Sequence, residues 1–298
     1  MVSAGYNHVV LLRSDGRVEA FGRNFYGECD IPVLKDGKIY TQVAAGCFHT
    51  VLLRNDGLAV AFGRYGFEQS NIPPLEDGIE YTQVSAAEHT VLLRNDGSAV
   101  ACGRNDDGQC NIPKLKKGIS YVQVSAGSRH TVLRQSDGRV ATCGNNMSGQ
   151  CDIPPLEEGT SYTQVSAGGE HTLLLRSDGK AVACGPNAHG LLDLPRLDEG
   201  MTYTQVSAGK YKSFLLRSDG LVVTCGYREL QCDIPTLDSG VTYSQVSAGE
   251  NVAVLLRSDG GAVVCGSLGP IPLPEPEPGV YYMCLVGNVG MFGGFSSC

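Results

Sequence analysis

The sequence predicts an all-β protein: a seven-bladed β-propeller of four-stranded antiparallel blades whose ring is closed by a C-terminal strand. Two observations predict it, a repeat of about 40 residues and several short strand-like segments in each copy without helical periodicity. A β-solenoid is the alternative, but its turns usually need fewer residues. The motif Val-Ser-Ala-Gly and its variants recur at spacings of 41, 41, 40, 41, 41 and 40 residues, with valine at Val2, Val43, Val84, Val124, Val165, Val206 and Val246.

The third copy shows the elements of one blade in order. Segment 81–86 alternates and is rich in β-prone residues, which predicts a first strand. Segment 90–94 is almost continuously apolar, which is typical of a strand buried on both faces. Asp96-Gly97 predicts a tight hairpin, because glycine accepts the positive φ of such turns. Segment 99–103 is predicted as the third strand and 109–112 as a short fourth, closed by Pro113.

Ring closure is predicted from the two ends of the repeat region. The first copy lacks the Tyr-Thr-Gln that precedes the valine elsewhere, whereas segment 280–286 resembles the start of a first strand. We expect this segment to complete the first blade and leave no open sheet edge. The propeller is therefore predicted over residues 1–287, with 288–298 as a C-terminal tail. The proline-rich stretch 270–278 predicts an irregular seventh blade.

Composition restricts the classes of partner. The net charge of −8 and the pI near 5.2 argue against a nucleic-acid surface, which needs clustered basic residues. No apolar run approaches the roughly 20 residues of a membrane helix. We expect a monomeric propeller that binds neither nucleic acid nor membrane.

Nine of the 12 cysteines occupy two repeat positions. One position precedes the glycine that ends the third strand, and the other follows a Gln or Glu. Phe or Leu takes these positions in other copies, so the cysteines are interpreted as small core residues. Reduced thiols predict an intracellular location, cytoplasmic or nuclear. The two sets are Cys102, Cys143, Cys184, Cys225 and Cys265, and Cys29, Cys110, Cys151 and Cys232.

Five histidines share one repeat position and could suggest a ring of metal ligands. Equivalent atoms of neighbouring blades should lie about 10 Å apart, too far to share a metal bound at about 2 Å. We therefore predict histidines that bond to loop backbone, with no metal, no cofactor and no catalytic residue. The aspartates of the Asp-Gly turns are likewise explained as turn formers. The histidines are His8, His49, His89, His130 and His171.

Val-Ser-Ala-Gly, then His-Thr-Val-Leu-Leu-Arg, Ser-Asp-Gly, Cys-Gly-Arg-Asn and Gly-Gln-Cys closely resemble the repeat of the regulator of chromosome condensation family over about residues 1–287. The resemblance implies the propeller fold. The family commonly has Trp before the third-strand glycine and Leu after the Gln, where this chain has Cys or Phe and usually Cys. The family includes exchange factors for a nuclear small GTPase, an ultraviolet-B receptor, a secreted inhibitor of β-lactamase and propellers within HECT-type ubiquitin ligases.

The differences between this sequence and the family's functional features reduce the number of candidate functions. The exchange factor works through an insertion that the constant spacing leaves no room for before Val246, and the ultraviolet receptor depends on clustered Trp, absent here. A ligase's catalytic domain is missing, so the chain is at most the recognition module of a larger ubiquitin ligase-like protein. The near-identity of the copies and the start within a strand suit a piece of a longer protein. We predict a non-catalytic protein-interaction propeller; the alternative is a guanine-nucleotide exchange factor. The partner is then a protein, such as a small GTPase or a ubiquitination substrate.

The copies diverge at one end of the propeller. Alternating strand directions place the loops between strands one and two and those after strand three at the same end, opposite the Asp-Gly turns. Aromatic residues occur there in copies one, two and six, and exposed aromatics beside arginine are typical of binding hot spots. The predicted partner-binding residues are Tyr6, Phe25, Tyr26, Phe48, Tyr65, Phe67, Tyr211, Tyr227 and Arg228.

Overall fold

A computed structural model describes residues 1–64, 66–227, 232–266, 273, 277 and 279–283. This part of the chain contains 21 strands and no helix. The strands form seven three-stranded antiparallel sheets, each ordered as in the sequence. The prediction of an all-β seven-bladed propeller is therefore confirmed, and each sheet is one blade.

The inner, middle and outer strands of successive blades have the following bounds. They are β1 Val2–Ala4, β2 His8–Leu12 and β3 Val18–Gly22; β4 Tyr40–Ala45, β5 His49–Arg54 and β6 Ala59–Gly63; β7 Tyr81–Ala86, β8 His89–Arg94 and β9 Ala99–Gly103; β10 Tyr121–Ala126, β11 His130–Gln135 and β12 Val140–Gly144; β13 Tyr162–Ala167, β14 Thr172–Arg176 and β15 Ala181–Cys184; β16 Tyr203–Ala208, β17 Lys212–Arg217 and β18 Val222–Gly226; and β19 Tyr243–Ala248, β20 Val252–Arg257 and β21 Ala262–Gly266.

The inner strands form a closed ring, because each contacts the inner strand of the next blade and β19 contacts β1. The hydrophobic core lies between blades. At the interface of blades 4 and 5, Val132 packs with Tyr162, Val165 and Leu174, all nearly inaccessible to solvent. Seven such clusters, one at each interface, bury the apolar middle strands on both faces. A single blade could not bury its own apolar faces.

The Val-Ser-Ala-Gly motif joins neighbouring blades by hydrogen bonds. The amide of Ala167 donates to the Ser125 hydroxyl of the preceding blade at 2.9 Å. The same bond crosses the junction between the last and first blades, where the Ala4 amide lies 3.0 Å from the Ser247 hydroxyl. The Glu250 amide also donates to the Gly5 carbonyl at 3.2 Å. The serine bond is made at six of the seven interfaces, and Ala44 takes the place of the serine between blades 2 and 3.

The predicted fourth strand is not formed in the blades that the structure describes, so the prediction of four-stranded blades is wrong. In blade 3, residues 108–111 make a turn in which the Asn111 amide donates to the Gly108 carbonyl at 3.0 Å. The Gln109 carbonyl accepts from the Thr131 hydroxyl at 2.7 Å, and the Cys110 amide donates to Asn105 Oδ1 at 2.8 Å. Side chains thus occupy the backbone groups that a fourth strand would need for its ladder.

The C-terminal segment seals the first blade, as predicted, over the residues that the structure describes. The Met283 amide donates to the Leu12 carbonyl at 3.0 Å, and Tyr282 pairs antiparallel with Arg13. Tyr282 is 2 % exposed and belongs to the core between blades 7 and 1. Residues 284–286 of the predicted closing strand lie outside the described residues, as does most of the proline-rich stretch.

Replacing Gly97 by alanine should destabilise the fold more than replacing Gly118, although both have φ near +80°. A Cβ at Gly97 would lie 2.4 Å from the Ser120 Cβ, whereas nothing lies within 4 Å of a Cβ at Gly118. Gly118→Ala should cost about 1–2 kcal/mol for the left-handed conformation alone. Gly97→Ala should cost about 1–3 kcal/mol more for the steric conflict. Urea denaturation of both variants measures the difference, and equal costs would contradict the packing argument.

Candidate functional site

Two sets of loops form one end of the propeller, which we call the loop face. The first set joins inner to middle strands, and its Ala and Gly residues line a shallow cavity on the axis together with Tyr6, Cys47, Lys210 and Glu250. The second set begins after the glycine that ends each outer strand. The antiparallel sheets place both sets at the same end, as the sequence predicts.

Three aromatic rings from blades 1 and 2 meet on the loop face. The ring centroids of Tyr6 and Phe48 are 5.4 Å apart, and those of Tyr26 and Phe48 are 5.9 Å apart in an edge-to-face arrangement. These are favourable separations for aromatic pairs. Tyr6 and Phe48 are half-buried, whereas Tyr26 remains 44 % exposed. The half-buried pair thus supports a more exposed ring.

Two arginines lie among these rings. The Arg23 guanidinium carbon lies 4.7 Å from the Phe25 ring centroid and 5.6 Å from that of Phe48. The Arg64 guanidinium carbon lies 5.4 Å from the Phe48 centroid and 5.8 Å from that of Phe67. All four contacts are within the range of cation–π attraction. The arginines therefore join the loops of blades 1 and 2 into one surface.

A second aromatic cluster comes from blades 5 and 6. The ring centroids of Tyr211 and Tyr227 are 6.4 Å apart, and His189 packs against Tyr227 at 4.8 Å. Lys210 connects this cluster to the first one, with its ammonium 5.1 Å from the Tyr211 centroid and 5.8 Å from that of Tyr6. The rings and cations thus form a continuous series across the axial cavity.

The structure brings seven of the nine predicted partner-binding residues onto this connected surface. Phe25 is 81 % exposed and Phe67 is 47 % exposed, so both rings are open to a partner. Tyr65 and Arg228 lie outside the described residues. The seven residues are Tyr6, Phe25, Tyr26, Phe48, Phe67, Tyr211 and Tyr227.

The cations of the loop face differ in their ionic partners. Lys210 pairs with Glu250, and Arg104 pairs with Glu88 and Asp106. In the part of the chain that the structure describes, no carboxylate lies within ion-pair distance of Arg23 or Arg64. Aromatic rings carry no net charge, so the cation–π contacts leave both guanidinium groups able to bind an acidic group.

Sequence reasoning did not single out Arg23, Arg64, Lys210 or His189. A signal was present for the arginines, because Gly-Arg ends the outer strand in the first three copies. Because the pair repeats, the sequence does not distinguish the three arginines. Arg104 in the third copy is neutralised by carboxylates, whereas Arg23 and Arg64 are not. For Lys210 and His189 the sequence carries no comparable signal.

The five repeated histidines bond between blades. The Nε2 atom of each lies 2.6–3.0 Å from a hydroxyl of the next blade. The prediction that these histidines bond to loop backbone is therefore wrong for Nε2, whose partner is a side chain. Burial lowers the pKa of His8 to about 4 and, with the neighbouring His8, that of His49 to about 3. Among the described residues no group of His, Cys, Asp and Glu side chains has the arrangement of a metal site.

The cysteines correct one sequence expectation. Cys232 and Cys265 form a disulfide, whereas eight other cysteines of the described residues are free. The expectation that the repeated cysteines are reduced core residues is therefore wrong for these two. The bond joins blade 6 to blade 7.

No helix in the described residues is long and apolar enough to cross a membrane.

A comparison with protein-family models matches the regulator of chromosome condensation (RCC1) repeat at residues 2–28, 87–109, 121–150 and 162–191. These four segments lie in blades 1, 3, 4 and 5. No curated protein sequence matches the chain. The family match therefore agrees with the resemblance found in the repeat motifs.

Solved structures similar to the chain are also propellers of this kind. The ectodomain of the receptor kinase CR4 from Physcomitrella patens has a TM-score of 0.72 and 19 % identity, over 92 % of this chain and 75 % of that chain. Prp20p from Saccharomyces cerevisiae has a TM-score of 0.71 and 17 % identity, over 92 % of this chain and 82 % of that chain. At such identities the similarity concerns the fold alone.

Proposed function

Because the chain is an RCC1-like seven-bladed β-propeller, we propose that it is a non-catalytic propeller that binds a protein partner through its loop face. We further propose that the propeller spans residues 1–287 and acts in the cytoplasm or nucleus. Its predicted relation to HECT-type ubiquitin ligases stays a prediction. The observation that carries the proposal is the continuous surface of exposed aromatic rings and cations.

The energetics of such a surface suit protein recognition. Binding energy concentrates in a few aromatic and arginine side chains surrounded by less important contacts. Phe25 and Phe67 are exposed, while Arg23 and Arg64 lie between rings that fix their positions. A partner that covers this surface buries apolar area without first having to order long, free side chains.

The charge pattern favours an acidic partner segment. The whole chain carries a net charge of −8, so a generally acidic partner would be repelled elsewhere. Arg23 and Arg64 lack carboxylate partners among the described residues, and bidentate bonds from guanidinium to carboxylate are both strong and directional. We therefore expect a local acidic group beside an apolar side chain in the partner.

Removing two of the exposed rings should weaken partner binding without unfolding the propeller. The variant Phe25→Ala/Phe67→Ala should lose at least about tenfold in affinity, since each hot-spot residue contributes roughly 2 kcal/mol or more. Proteins captured from the cells that express the chain are quantified for wild type and variant. Leu58→Ala/Leu221→Ala is the matched control, because these exposed residues follow Asp-Gly turns at the opposite end. A capture profile that both variants share with wild type would contradict the proposal.

Guanine-nucleotide exchange is the second candidate function. The observation that favours exchange activity is the similarity in fold to Prp20p, a protein whose crystal structure is described together with its binding properties to Gsp1p and histones. Release of a fluorescent guanine nucleotide from small GTPases distinguishes the candidates. Acceleration by the chain would replace the non-catalytic proposal, whereas partner capture without acceleration supports it.

A further inference from the structure

One disulfide shows how two cysteines of adjacent blades can be joined. Cys232 follows the outer strand of blade 6, and Cys265 lies at the end of the outer strand of blade 7. Their Cα atoms are 5.1 Å apart and they are separated by 33 residues in sequence. This Cα separation is within the usual range for a disulfide.

The same two repeat positions hold cysteines at two other blade interfaces. Cys110 and Cys143 occupy them between blades 3 and 4, and Cys151 and Cys184 occupy them between blades 4 and 5. Each pair is separated by 33 residues, as 143 minus 110 and 184 minus 151, which equals the separation of the bonded pair. All four thiols are free.

Hydrogen bonds place one thiol of each pair beside the chain segment that carries its counterpart. The Cys143 Sγ lies 3.4 Å from the carbonyl oxygen of Gln109, the residue immediately before Cys110. In the next interface, the Cys184 Sγ lies 3.4 Å from the carbonyl oxygen of Gln150, the residue before Cys151. Cys143 and Cys184 therefore reach across the interface, while the thiols of Cys110 and Cys151 each lie 3.3 Å from a carbonyl oxygen of their own blade, that of Arg104 and that of Asn145.

We propose that Cys110–Cys143 and Cys151–Cys184 are oxidisable pairs that form two further disulfides between blades. The oxidant is a small disulfide such as glutathione disulfide. One cysteine thiolate attacks it and releases one glutathione; the second cysteine thiolate then attacks the mixed disulfide and releases the other. The two protein thiols lose two electrons and two protons, and glutathione disulfide gains both.

The bridges would alter the loop face. Cys143 precedes Gly144, where the outer strand of blade 4 ends, and Cys110 follows the outer loop of blade 3. A bond between them joins the end of β12 in blade 4 to the segment that follows the outer loop of blade 3. Two such bonds would hold the outer loops of blades 3, 4 and 5 in one arrangement.

Burial makes the reaction slow at neutral pH. Removal from solvent raises the pKa of Cys110, Cys143 and Cys184 to about 12. Only the thiolate attacks a disulfide, so the thiolate fraction should limit the rate. Bridge formation should accelerate about tenfold for each pH unit between 7 and 9.

The test exposes the reduced protein to glutathione disulfide at pH 8.5, blocks remaining thiols with an alkylating agent and maps linked peptides by mass spectrometry. We expect four thiols to be lost to two new bridges, Cys110–Cys143 and Cys151–Cys184, besides Cys232–Cys265. Cys29, Cys102 and Cys225 are internal controls, because Phe62, Ser70 and Leu192 take the position of their counterpart. These three cysteines should remain available for alkylation.

The matched variant Cys110→Ser should leave Cys143 available for alkylation while Cys151–Cys184 still forms. Its melting temperature in the reduced state serves as the folding control. Recovery of all four cysteines in alkylated form would overturn the proposal. Bridges within one blade, such as Cys102–Cys110 or Cys143–Cys151, would also overturn it, because they would place the oxidisable pairs elsewhere.

Discussion

Lowering the pH from 7 to 5.5 is expected to reduce the free energy of unfolding by about 6 kcal/mol, which is about 1.2 kcal/mol for each of five buried histidines. This is comparable with the whole stability of a typical domain, about 5–15 kcal/mol. The protein should therefore unfold in mild acid. The five are His8, His49, His89, His130 and His171.

The direction follows from the two pKa values of each histidine. In the unfolded chain the pKa is about 6.5, while burial lowers it to about 4 in folded His8 and to about 3 in folded His171, where the neighbouring His130 adds to the effect. Between these values the unfolded state binds more protons than the folded state, so stability falls as the pH falls. The contribution is fully present above pH 6.5 and is lost progressively toward pH 4.

Urea denaturation between pH 7 and 5 measures this loss. The range avoids carboxylates such as Asp56, whose pKa is lowered to about 2 by hydrogen bonds from Lys38 and Arg54 against the opposing effect of desolvation, and whose titration belongs to lower pH. A double variant, His130→Val/Thr172→Val, copies the Val252 and Val9 pair found between blades 7 and 1. It should reduce the pH dependence by one-fifth. A urea midpoint that stays constant from pH 7 to 5 would contradict the burial of neutral histidines.

Local patterns in the sequence predict the blades but not the contacts between them. The apolar run 90–94 and the Asp96-Gly97 turn determine strands and hairpins within one copy, and both are found where predicted. The hydroxyl bonded to His89 belongs to Thr131, 42 residues away. A contact at this distance follows only from the position of one blade against the next. For the same reason, the bond between Cys232 and Cys265 of the next copy does not follow from the residues of one copy.

The predicted fourth strand shows a second reason why a prediction from sequence can fail. Segment 109–112 has strand-like composition, but its strand pairing depends on whether other groups take its hydrogen bonds. The Thr131 hydroxyl and the Asn105 side chain take them. Such side-chain competition is invisible in the composition of the segment itself.

The sequence predicts only part of the loop face. It shows where aromatic residues occur in the loops, but not whether the charge of an arginine is neutralised by its neighbours. Aromatic residues in variable loops can be recognised from the sequence as candidate binding residues, so the sequence predicts Phe25 and Phe67. Whether an arginine is available depends on its neighbours. Arg104 is neutralised by Glu88, which comes from a different loop of the same blade, whereas Arg64 lies between rings. Only the assembled loops distinguish the two.

Replacing Tyr282 by alanine should destabilise the propeller by about 3–5 kcal/mol, the usual cost of truncating a large buried ring. Tyr282 is 2 % exposed and packs with Val2, Leu11 and Leu256 between blades 7 and 1. Its hydroxyl lies 3.1 Å from Glu19 Oε2. The variant should leave a cavity at the junction where the two ends of the described chain meet. Thermal or urea unfolding measures the loss.

A tyrosine at the same repeat position of a different blade provides the control. Tyr162 is also 2 % exposed, and its hydroxyl donates to the Pro154 carbonyl at 2.7 Å. Tyr162→Ala should cost a similar amount because its packing is equivalent, although its interface lies far from the chain ends. If Tyr282→Ala were neutral while Tyr162→Ala was destabilising, the C-terminal segment would not seal the ring. Tyr282→Phe should cost only about 1 kcal/mol, since it removes the hydrogen bond to Glu19 and keeps the packing.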